Sequence, residues 1–382
     1  MLAKGLLLRA LLQRMVLTVT LTVMLAGVLP SAVAAANAGD EGEFARAQVA
    51  ARDGDYRLVV ELLTTALAAD DLDEAGQVVA YSNRGIAYSL LNAYGLAKQD
   101  LARALVLNPK HELSLQQMGV LAEKVDQDYP LAVSYFQQAA LAGYAPSQLS
   151  LAMMYQAGQG LARDDQQALR LCQQAAAAGY ALAYTPLGEM YLAGSGTRRD
   201  PATAVKWFRL GAEAGVSTAH FLLGTVLEIG NGVAQDAQAA AAHYRVAALQ
   251  GNAAAQDALG YLYRRGLGVP KDYQNALQWY RLAADQGNAS AQNRLAWLLA
   301  GCPQADICDG EQAVELARRA LAAAPLPAYV DSLAAGLARQ GQYEQAVAEL
   351  EAVLRNMSPQ DPGYATYRQR QRLYQRGQPY QL

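Results

Sequence analysis

Four segments of the chain contain a G-x-G pair, which in nucleotide-binding proteins belongs to loops that hold a phosphate. One of them reads YRRGLGVPKD, from Tyr263 to Asp272. A phosphate loop needs a preceding strand and either a third glycine or a G-K-[ST] ending, and Val269-Pro270 follows the second glycine instead. Related segments recur at intervals of 36 residues, beginning at Leu227, Tyr191 and Tyr155. This repetition predicts that the glycines shape the chain and do not bind a nucleotide.

Histidines are the next candidates for chemistry, and two of the three fall within one 36-residue repeat. His220 and His243 could meet there as a pair of metal ligands. A stable zinc site usually needs four ligands, and no cysteine or clear carboxylate accompanies the pair. We therefore favour packed or hydrogen-bonded histidines and predict no metal and no cofactor.

Catalytic motifs are missing from the sequence. It contains no G-x-S-x-G, H-E-x-x-H, S-x-x-K or C-x-x-C pattern. Asp70-Asp71 and Asp73-Glu74 could be read as an acid/base pair, but they precede a predicted helix, where carboxylates stabilise the helix dipole. We predict that the protein is not an enzyme.

The three cysteines do not form a disulfide framework of the kind that holds small secreted domains together. Cys172 occupies the repeat position of Phe208, Tyr244 and Tyr280, which predicts a buried thiol. Cys302 and Cys308 are close enough in sequence to pair in an oxidising compartment, although their spacing permits a disulfide without requiring it.

Each clear repeat is predicted to be a helical hairpin. Apolar residues at helical spacing precede the G-x-G pair, and a second helical pattern follows it, so the glycines reverse the chain between helix A and helix B. A glycine within helix A indicates a close approach of helix B. One aspartate per repeat stands where it would cap helix B: Asp164, Asp200, Asp236 and Asp272. The four copies cover residues 145–180, 181–216, 217–252 and 253–288.

The pattern A-x-A-x-x-x-L-G-x-x-Y-x-x-G-x-G-V-x-x-D, followed by A-x-x-W-Y-x-x-A-A-x-x-G, resembles the Sel1-like repeat family, which is related to tetratricopeptide repeats. A weaker unit precedes the four copies and extends the resemblance to 113–288. The flanking segments 35–112, with YSNRGIAYSLLNAYGLAKQDLARALVLNP, and 289–357 resemble tetratricopeptide hairpins. The resemblance implies an all-α, right-handed α/α superhelical solenoid.

In such arrays helix A lines a concave groove, so the resemblance also implies a face for a protein or peptide partner. Ordinary solvated surface is the alternative interpretation of these positions. The implied partner-binding residues are Leu149, Met153, Gln156, Thr185, Glu189, Leu192, Phe221, Thr225, Glu228, Asp257, Tyr261 and Arg264.

The amino-terminal sequence predicts export. Lys4, Arg9 and Arg14 precede an apolar stretch from Met15 to Leu29, and Ala32-Val33-Ala34 after it is a small-residue cleavage site. We predict a signal peptide over 1–34 and a periplasmic protein, with membrane attachment only if this segment is retained. Removal of three basic residues leaves 28 Lys and Arg against 34 Asp and Glu, a formal charge of −6. A nucleic-acid partner is therefore not expected.

The tail over 358–382 is basic and aromatic. From Gly363 onward it has no acidic residue, and tyrosines alternate with Arg368, Arg370, Arg372 and Arg376. It would either present these side chains to an anionic partner such as a polysaccharide, or form a final helix that docks on the last repeat.

Together these observations predict a periplasmic scaffold or adaptor that binds proteins and performs no catalysis. One alternative is an envelope enzyme acting on peptidoglycan or β-lactams, because cysteine-rich members of the repeat family are associated with β-lactams. This sequence lacks a cysteine pair in each repeat. The other alternative is a polysaccharide-binding component of an exopolysaccharide secretion system.

Overall fold

The computed structural model describes residues 42–69, 72–301, 304 and 307–382. Every regular element within these ranges is helical, and no strand occurs among them. The predicted all-α fold of helical hairpins is thus confirmed. The chain divides into two compact units, unit 1 up to Arg199 and unit 2 from Asp200 to Leu382. In the described part of the chain, no helix combines the length and apolar character needed to cross a bilayer.

Unit 1 is a stack in which each helix packs on the next one along the chain. A π-helical turn over Ala122–Asp126 follows the fifth helix, and a 3-10 turn over Ala181–Ala183 precedes the ninth. The helices are α1 (Glu43–Arg52), α2 (Tyr56–Ala68), α3 (Glu74–Leu90), α4 (Tyr94–Leu107), α5 (Glu112–Leu121), α6 (Tyr129–Leu141), α7 (Ala145–Ala157), α8 (Asp165–Ala177) and α9 (Tyr184–Ala193).

Unit 2 continues the same plan and ends in a helix that belongs to the carboxy-terminal tail. Its helices are α10 (Pro201–Glu213), α11 (Ser217–Ile229), α12 (Ala237–Leu249), α13 (Ala253–Arg265), α14 (Tyr273–Asp285), α15 (Ala289–Gly301), α16 (Gly310–Ala323), α17 (Pro327–Arg339), α18 (Tyr343–Arg355) and α19 (Tyr364–Gln375). In addition to sequential contacts, α15 packs directly on α17.

Aspartates cap the second helix of each clear repeat, as the sequence predicts. Asp164 accepts hydrogen bonds from the backbone N–H groups of Gln166 and Gln167, both at 3.0 Å. Asp272 accepts one from Asn275 N at 2.9 Å. These bonds satisfy donors that the first turn of a helix leaves without an intrahelical partner. Asp200, Asp236 and, beyond the predicted set, Asp309 cap helices in the same way.

The glycine inside helix A lies against an aromatic ring of helix B. A Cβ atom added to Gly224 would stand 2.7 Å from the ring of Tyr244, and one added to Gly260 would stand 2.7 Å from the ring of Tyr280. This distance is shorter than carbon atoms tolerate, so the predicted close approach is confirmed. Gly119 meets Phe136 in the same manner in the α5–α6 hairpin.

The G-x-G pair performs two separate tasks. The first glycine ends helix A in the left-handed region, with φ of 67° at Gly158 and 69° at Gly266. The second glycine also has positive φ, and it lies against the first residue of helix B in the preceding repeat. A Cβ on Gly160 would stand 2.5 Å from the carbonyl carbon and oxygen of Tyr129. The loop therefore joins neighbouring repeats as well as reversing the chain.

Candidate interaction surface

In unit 1 the predicted partner-binding residues lie on α7 and α9. Leu149 and Thr185 are buried, with exposed fractions of 3% and 7%. Near this position the first helices of two successive repeats are in direct contact. An example is the Ser147 Oγ of α7, which donates to Gln116 Oε1 of α5 at 2.5 Å. The members that remain partly accessible are Met153, Gln156, Glu189 and Leu192.

In unit 2 the predicted residues lie on α11 and α13, and Asp257 is buried at 7% exposure. Phe221, Thr225, Glu228, Tyr261 and Arg264 are partly accessible. Three predicted residues, Leu149, Thr185 and Asp257, are thus buried. A partner cannot reach them, so they are removed from the predicted partner-binding face. The binding role of the other nine stays a prediction.

Asp257 is the centre of a polar cluster that reaches the next repeat. Its Oδ2 atom lies 3.3 Å from Arg294 Nη1 and accepts a hydrogen bond from Ser290 Oγ at 2.9 Å. Burial raises the pKa of the Asp257 carboxyl, while Arg294 and the Ser290 bond act in the opposite direction. The cluster ties α13 to α15 by groups that are distant in sequence.

Tyr261 contacts two cations on this surface. The guanidinium carbon of Arg294 lies 5.0 Å from the centre of its ring, and that of Arg264 lies 5.6 Å from it. In the preceding hairpin, the hydroxyl of Tyr244 on α12 donates to Oε2 of Glu228 on α11 at 2.7 Å, which holds that carboxylate in place. Unit 2 thus presents charged and aromatic groups where α7 and α9 of unit 1 present mainly neutral ones.

Helix α15 also contributes to this surface, and its residues were not among those predicted. Extending the 36-residue period by one copy would have placed Asn293 in register with Asp257 and Trp297 in register with Tyr261. The absence of a G-x-G pair after α15 obscured this register. In the α5–α6 hairpin, Gly119 is the helix A glycine, but it lies 33 residues before Ala152 because the loop of this hairpin is shorter, so a strict 36-residue period does not find it.

The carboxy-terminal tail folds onto unit 2. Arg370 forms an ion pair with Asp331 of α17, and its guanidinium carbon lies 4.3 Å from the centre of the Trp297 ring. Tyr380 packs on Trp297 with ring centroids 4.9 Å apart. At the chain end, Leu382 N donates to Gly301 O at 3.1 Å. These contacts match one of the two alternatives for the tail, a final helix that docks on the last repeats.

The two candidate metal-binding histidines do meet in unit 2. His220 Nδ1 and His243 Nδ1 are 3.0 Å apart, so one ring donates to the other. Burial is the main cause that lowers both pKa values, and for His243 the neighbouring His220 and Arg209 lower the pKa further. Within the described ranges, no group of three or more His, Cys, Asp or Glu side chains is arranged to hold a metal ion.

Cys172 is a buried thiol, as predicted, with 1% of its surface exposed. Burial raises its pKa to about 12, and the nearby Glu189 carboxylate adds to the effect. Such a thiol is a poor nucleophile. The Cys302–Cys308 disulfide, which the sequence permits without requiring, stays a candidate because Cys302 lies outside the described residues. Asp70 and Asp71 also lie outside them, whereas Asp73 caps α3 by accepting from Gly76 N at 2.7 Å.

Comparison with known families gives a model match over more than half of the chain. The model described as "Sel1 repeat" matches six consecutive segments. The last of them includes α15 and α16, which the sequence analysis assigned to tetratricopeptide-like hairpins. The matched segments are 114–144, 145–180, 181–216, 217–252, 253–288 and 289–324.

Solved structures show a similar fold. A protective antigen present in uropathogenic Escherichia coli strains, with an SLR fold, is 24% identical, covers 88% of this chain and 76% of its own, and has a TM-score of 0.63. A Sel1 repeat protein from Oxalobacter formigenes is 26% identical over 63% of this chain and 96% of its own, with a TM-score of 0.56. No curated protein matches the chain.

Proposed function

The chain belongs to the Sel1 repeat family, and on that premise we propose that it is a non-catalytic adaptor in the envelope of a Gram-negative bacterium. Sel1 repeat proteins are helical-repeat scaffolds for protein–protein interaction. The adaptor would hold a partner protein against the accessible helix A side chains.

The observation that carries this proposal is a contrast within each repeat: the residues that shape the hairpin stay the same from copy to copy, and the accessible residues of helix A differ. Helix-capping aspartates and loop glycines recur in every clear repeat of unit 2. The partly accessible positions on the same helices differ: Phe221, Thr225 and Glu228 on α11, against Tyr261 and Arg264 on α13. Tyrosine and arginine, together with tryptophan, are enriched among the residues that contribute most to binding at protein interfaces.

Photo-crosslinking in intact cells tests the partner face. A photoreactive amino acid at Thr225 or Tyr261 is expected to capture a discrete protein band in a Gram-negative host. The matched control is the same label at Leu249, which is 73% exposed but lies on α12, the second helix of its hairpin. Equal capture from the control position, or none from the helix A positions, would refute the adaptor face.

The proposed location rests on the amino-terminal sequence, whose residues 1–34 lie outside the described part of the structure. Sequencing the amino terminus of the protein purified from cell fractions is the direct test. We expect a periplasmic protein that begins at Ala35, or shortly after it if cleavage follows Ala36 or Ala38. A mature protein that begins at Met1 would contradict cleavage.

The proposed lack of catalysis is supported by the chemistry of the described side chains. The buried thiol of Cys172 is poorly reactive, and the recurring aspartates are engaged in helix capping. The alternative of an enzyme acting on peptidoglycan or β-lactams is tested with a fluorescent penicillin. A covalent label, or hydrolysis of a chromogenic β-lactam by the purified chain, would replace the adaptor with that alternative.

A second candidate, polysaccharide binding by the tail, is favoured by the exposure of three of its arginines. Arg370 is used internally, but Arg368, Arg372 and Arg376 are exposed. Replacing Arg372 and Arg376 with alanine is expected to weaken retention on an acidic polysaccharide column, with Arg355→Ala of α18 as the control. Unchanged retention of the double variant would exclude this candidate.

A further inference from the structure

Unit 2 contains a cavity of about 210 Å³ between the first helices of three successive hairpins. Helices α13, α15 and α17 each contribute to its wall, and α19 of the tail completes it. Arg264 belongs both to this cavity and to the predicted partner-binding face, so the two adjoin. The lining residues are Arg264, Asn293, Arg294, Trp297, Ala328, Asp331, Ser332 and Arg370.

The wall of this cavity carries more positive than negative charge. Three arginines line it, and Asp331 is the one acidic residue that does so. Arg370 pairs with Asp331, and Arg294 pairs with Asp257, which does not line the cavity. In the part of the chain that the structure describes, no carboxylate pairs with Arg264. One cation is therefore left over when both ion pairs are counted.

A ligand in the cavity has better access to the arginines than to their acidic partners. The side chain of Arg294 is 36% exposed, against 10% for Asp257. That of Arg370 is 16% exposed, against 7% for Asp331. Arg264 is also partly accessible. The more accessible member of each ion pair is thus the cation, and the surface offered to a ligand is positively charged.

The ring of Tyr261 brings two of these arginines together. The guanidinium carbons of Arg294 and Arg264 lie 5.0 Å and 5.6 Å from its centre. Two cations beside one ring repel each other, and an anion that contacts both offsets this repulsion. Another carboxylate of the region, that of Glu228, is held by the Tyr244 hydroxyl and does not line the cavity. A carboxylate suits this place because it can accept two parallel hydrogen bonds from a guanidinium group.

Resting on the proposed adaptor function, we propose that the cavity receives the side chain of an aspartate or glutamate from an acidic segment of the partner protein. Its carboxylate would accept hydrogen bonds from Arg264 and Arg294. One turn of a helix about 10 Å wide occupies roughly 400 Å³, so a cavity of about 210 Å³ admits a side chain and excludes a whole helix. The rest of the partner would lie on the accessible surface of α13 and α15, beside Tyr261.

Blocked random peptides test this chemistry without a known partner. The probe is a library of short peptides, acetylated at one end and amidated at the other, so that side chains carry all of their carboxylates. Selection on the full chain is expected to enrich peptides that contain Asp or Glu at a common position. In the tightest peptide, Asn or Gln at that position is expected to weaken binding about tenfold or more by calorimetry.

A pair of adjacent arginines supplies the matched variants. Arg264→Gln removes the unpaired cation and is expected to weaken binding of the selected acidic peptide about tenfold or more. Arg265→Gln changes the next residue of α13, which is exposed and does not line the cavity. It is expected to leave the affinity within about twofold. Circular dichroism of both variants checks that the helices are intact.

The same variants in cells separate this proposal from the adaptor function. With the photoreactive amino acid at Thr225, Arg264→Gln is expected to reduce capture of the partner band, and Arg265→Gln is expected to preserve it. A band that Arg264→Gln leaves unchanged would overturn the acidic-segment proposal and leave the adaptor function standing. No band from the labelled chain without either change would contradict the adaptor function, and the proposal with it.

Three results with purified protein would each overturn the proposal. The first is selection of peptides without any preference for acidic residues. The second is an equal loss of affinity in the two arginine variants. The third is saturable binding of polygalacturonate or free glutarate, lost in Arg264→Gln, when no acidic peptide binds. That result would assign the cavity to a glycan or to a small organic acid.

Discussion

The α7–α8 hairpin of unit 1 and the α13–α14 hairpin of unit 2 follow the same 36-residue frame, yet they fill the space between their helices differently. In α13–α14, Gly260 faces the ring of Tyr280, which is fully buried. In α7–α8 the equivalent residues are Ala152 and Cys172, each 1% exposed. A large side chain on one helix thus accompanies a glycine on the other, and a small side chain accompanies an alanine.

The helix A glycine is therefore one half of a size match between the two helices of a hairpin. Glycine lowers helix stability by about 1 kcal/mol relative to alanine, and a buried aromatic ring offsets that cost by the apolar surface it removes from water. In α8, Cys172 takes the place of the ring, so α7 does not need a glycine at the facing position and has Ala152 there.

The largest predicted effect comes from removing the ring. Tyr280→Cys is expected to lower the free energy of unfolding by about 3 kcal/mol, because it leaves a cavity against Gly260. The matched change in α8, Cys172→Ala, removes one small group and is expected to cost about 1 kcal/mol. Urea denaturation of both variants measures the difference. Equal losses would mean that the two hairpins do not differ in this way.

A smaller effect is expected from Gly260→Ala. The added methyl group would collide with the ring of Tyr280, so a loss of about 2 kcal/mol is expected. In the Tyr280→Cys background the same change imitates α7–α8 and is expected to be neutral or to stabilise by up to about 1 kcal/mol. A double-mutant cycle measures this coupling. Additive losses would contradict the size match.

Helix capping is a feature that the two hairpins share, so the same substitution is expected to have a similar effect in both. Asp164→Ala and Asp272→Ala each remove the side-chain carboxylate that accepts a hydrogen bond from a backbone N–H group at the start of a second helix. Each is expected to cost about 1 kcal/mol, measured by thermal unfolding. Asn at either position keeps the acceptor and serves as the control, with a loss of only a few tenths of a kcal/mol expected.

The smallest effect concerns the α11–α12 hairpin, where His220 and His243 replace the Gln256 and Trp279 of α13–α14. Both histidine pKa values are lowered in the folded state. Their contribution to stability is therefore complete above the unfolded pKa of about 6.5 and decreases as the pH falls through that value toward the folded pKa.

Replacing both histidines by the α13–α14 residues, His220→Gln with His243→Trp, should make the loss of stability between pH 7.5 and pH 5.5 shallower. Urea denaturation at the two pH values measures it. An unchanged slope would assign the pH dependence to other groups.

Local features of the fold could be predicted because they depend on residues close in sequence. The Asp272 cap needs only the three residues after it, and the positive φ of Gly266 needs only a reversal of the chain. The burial of Cys172 followed from the register of the repeats. In each case, one aligned position carries the necessary information.

The side-chain pairs that join distant segments of unit 2 could not be predicted in the same way. Asp331 and Arg370 are 39 residues apart, and Trp297 meets Tyr380 across a still longer separation. No period relates the members of either pair. The predicted exposure of Asp257 was wrong because the consensus describes one hairpin, whereas burial is decided by the neighbouring helix that carries Arg294.

The second glycine of each loop contacts main-chain atoms of the preceding repeat. The residues it meets are unrelated in type: Tyr129, Asp165, Pro201 and Ala237. Because this contact between repeats is made with backbone atoms, it does not depend on the side chains of the preceding repeat. One copy can therefore follow another without compensating substitutions at the contact. Duplication or deletion of a 36-residue copy would therefore preserve the joints, and the gene can change the number of repeats while each helix A evolves its own surface.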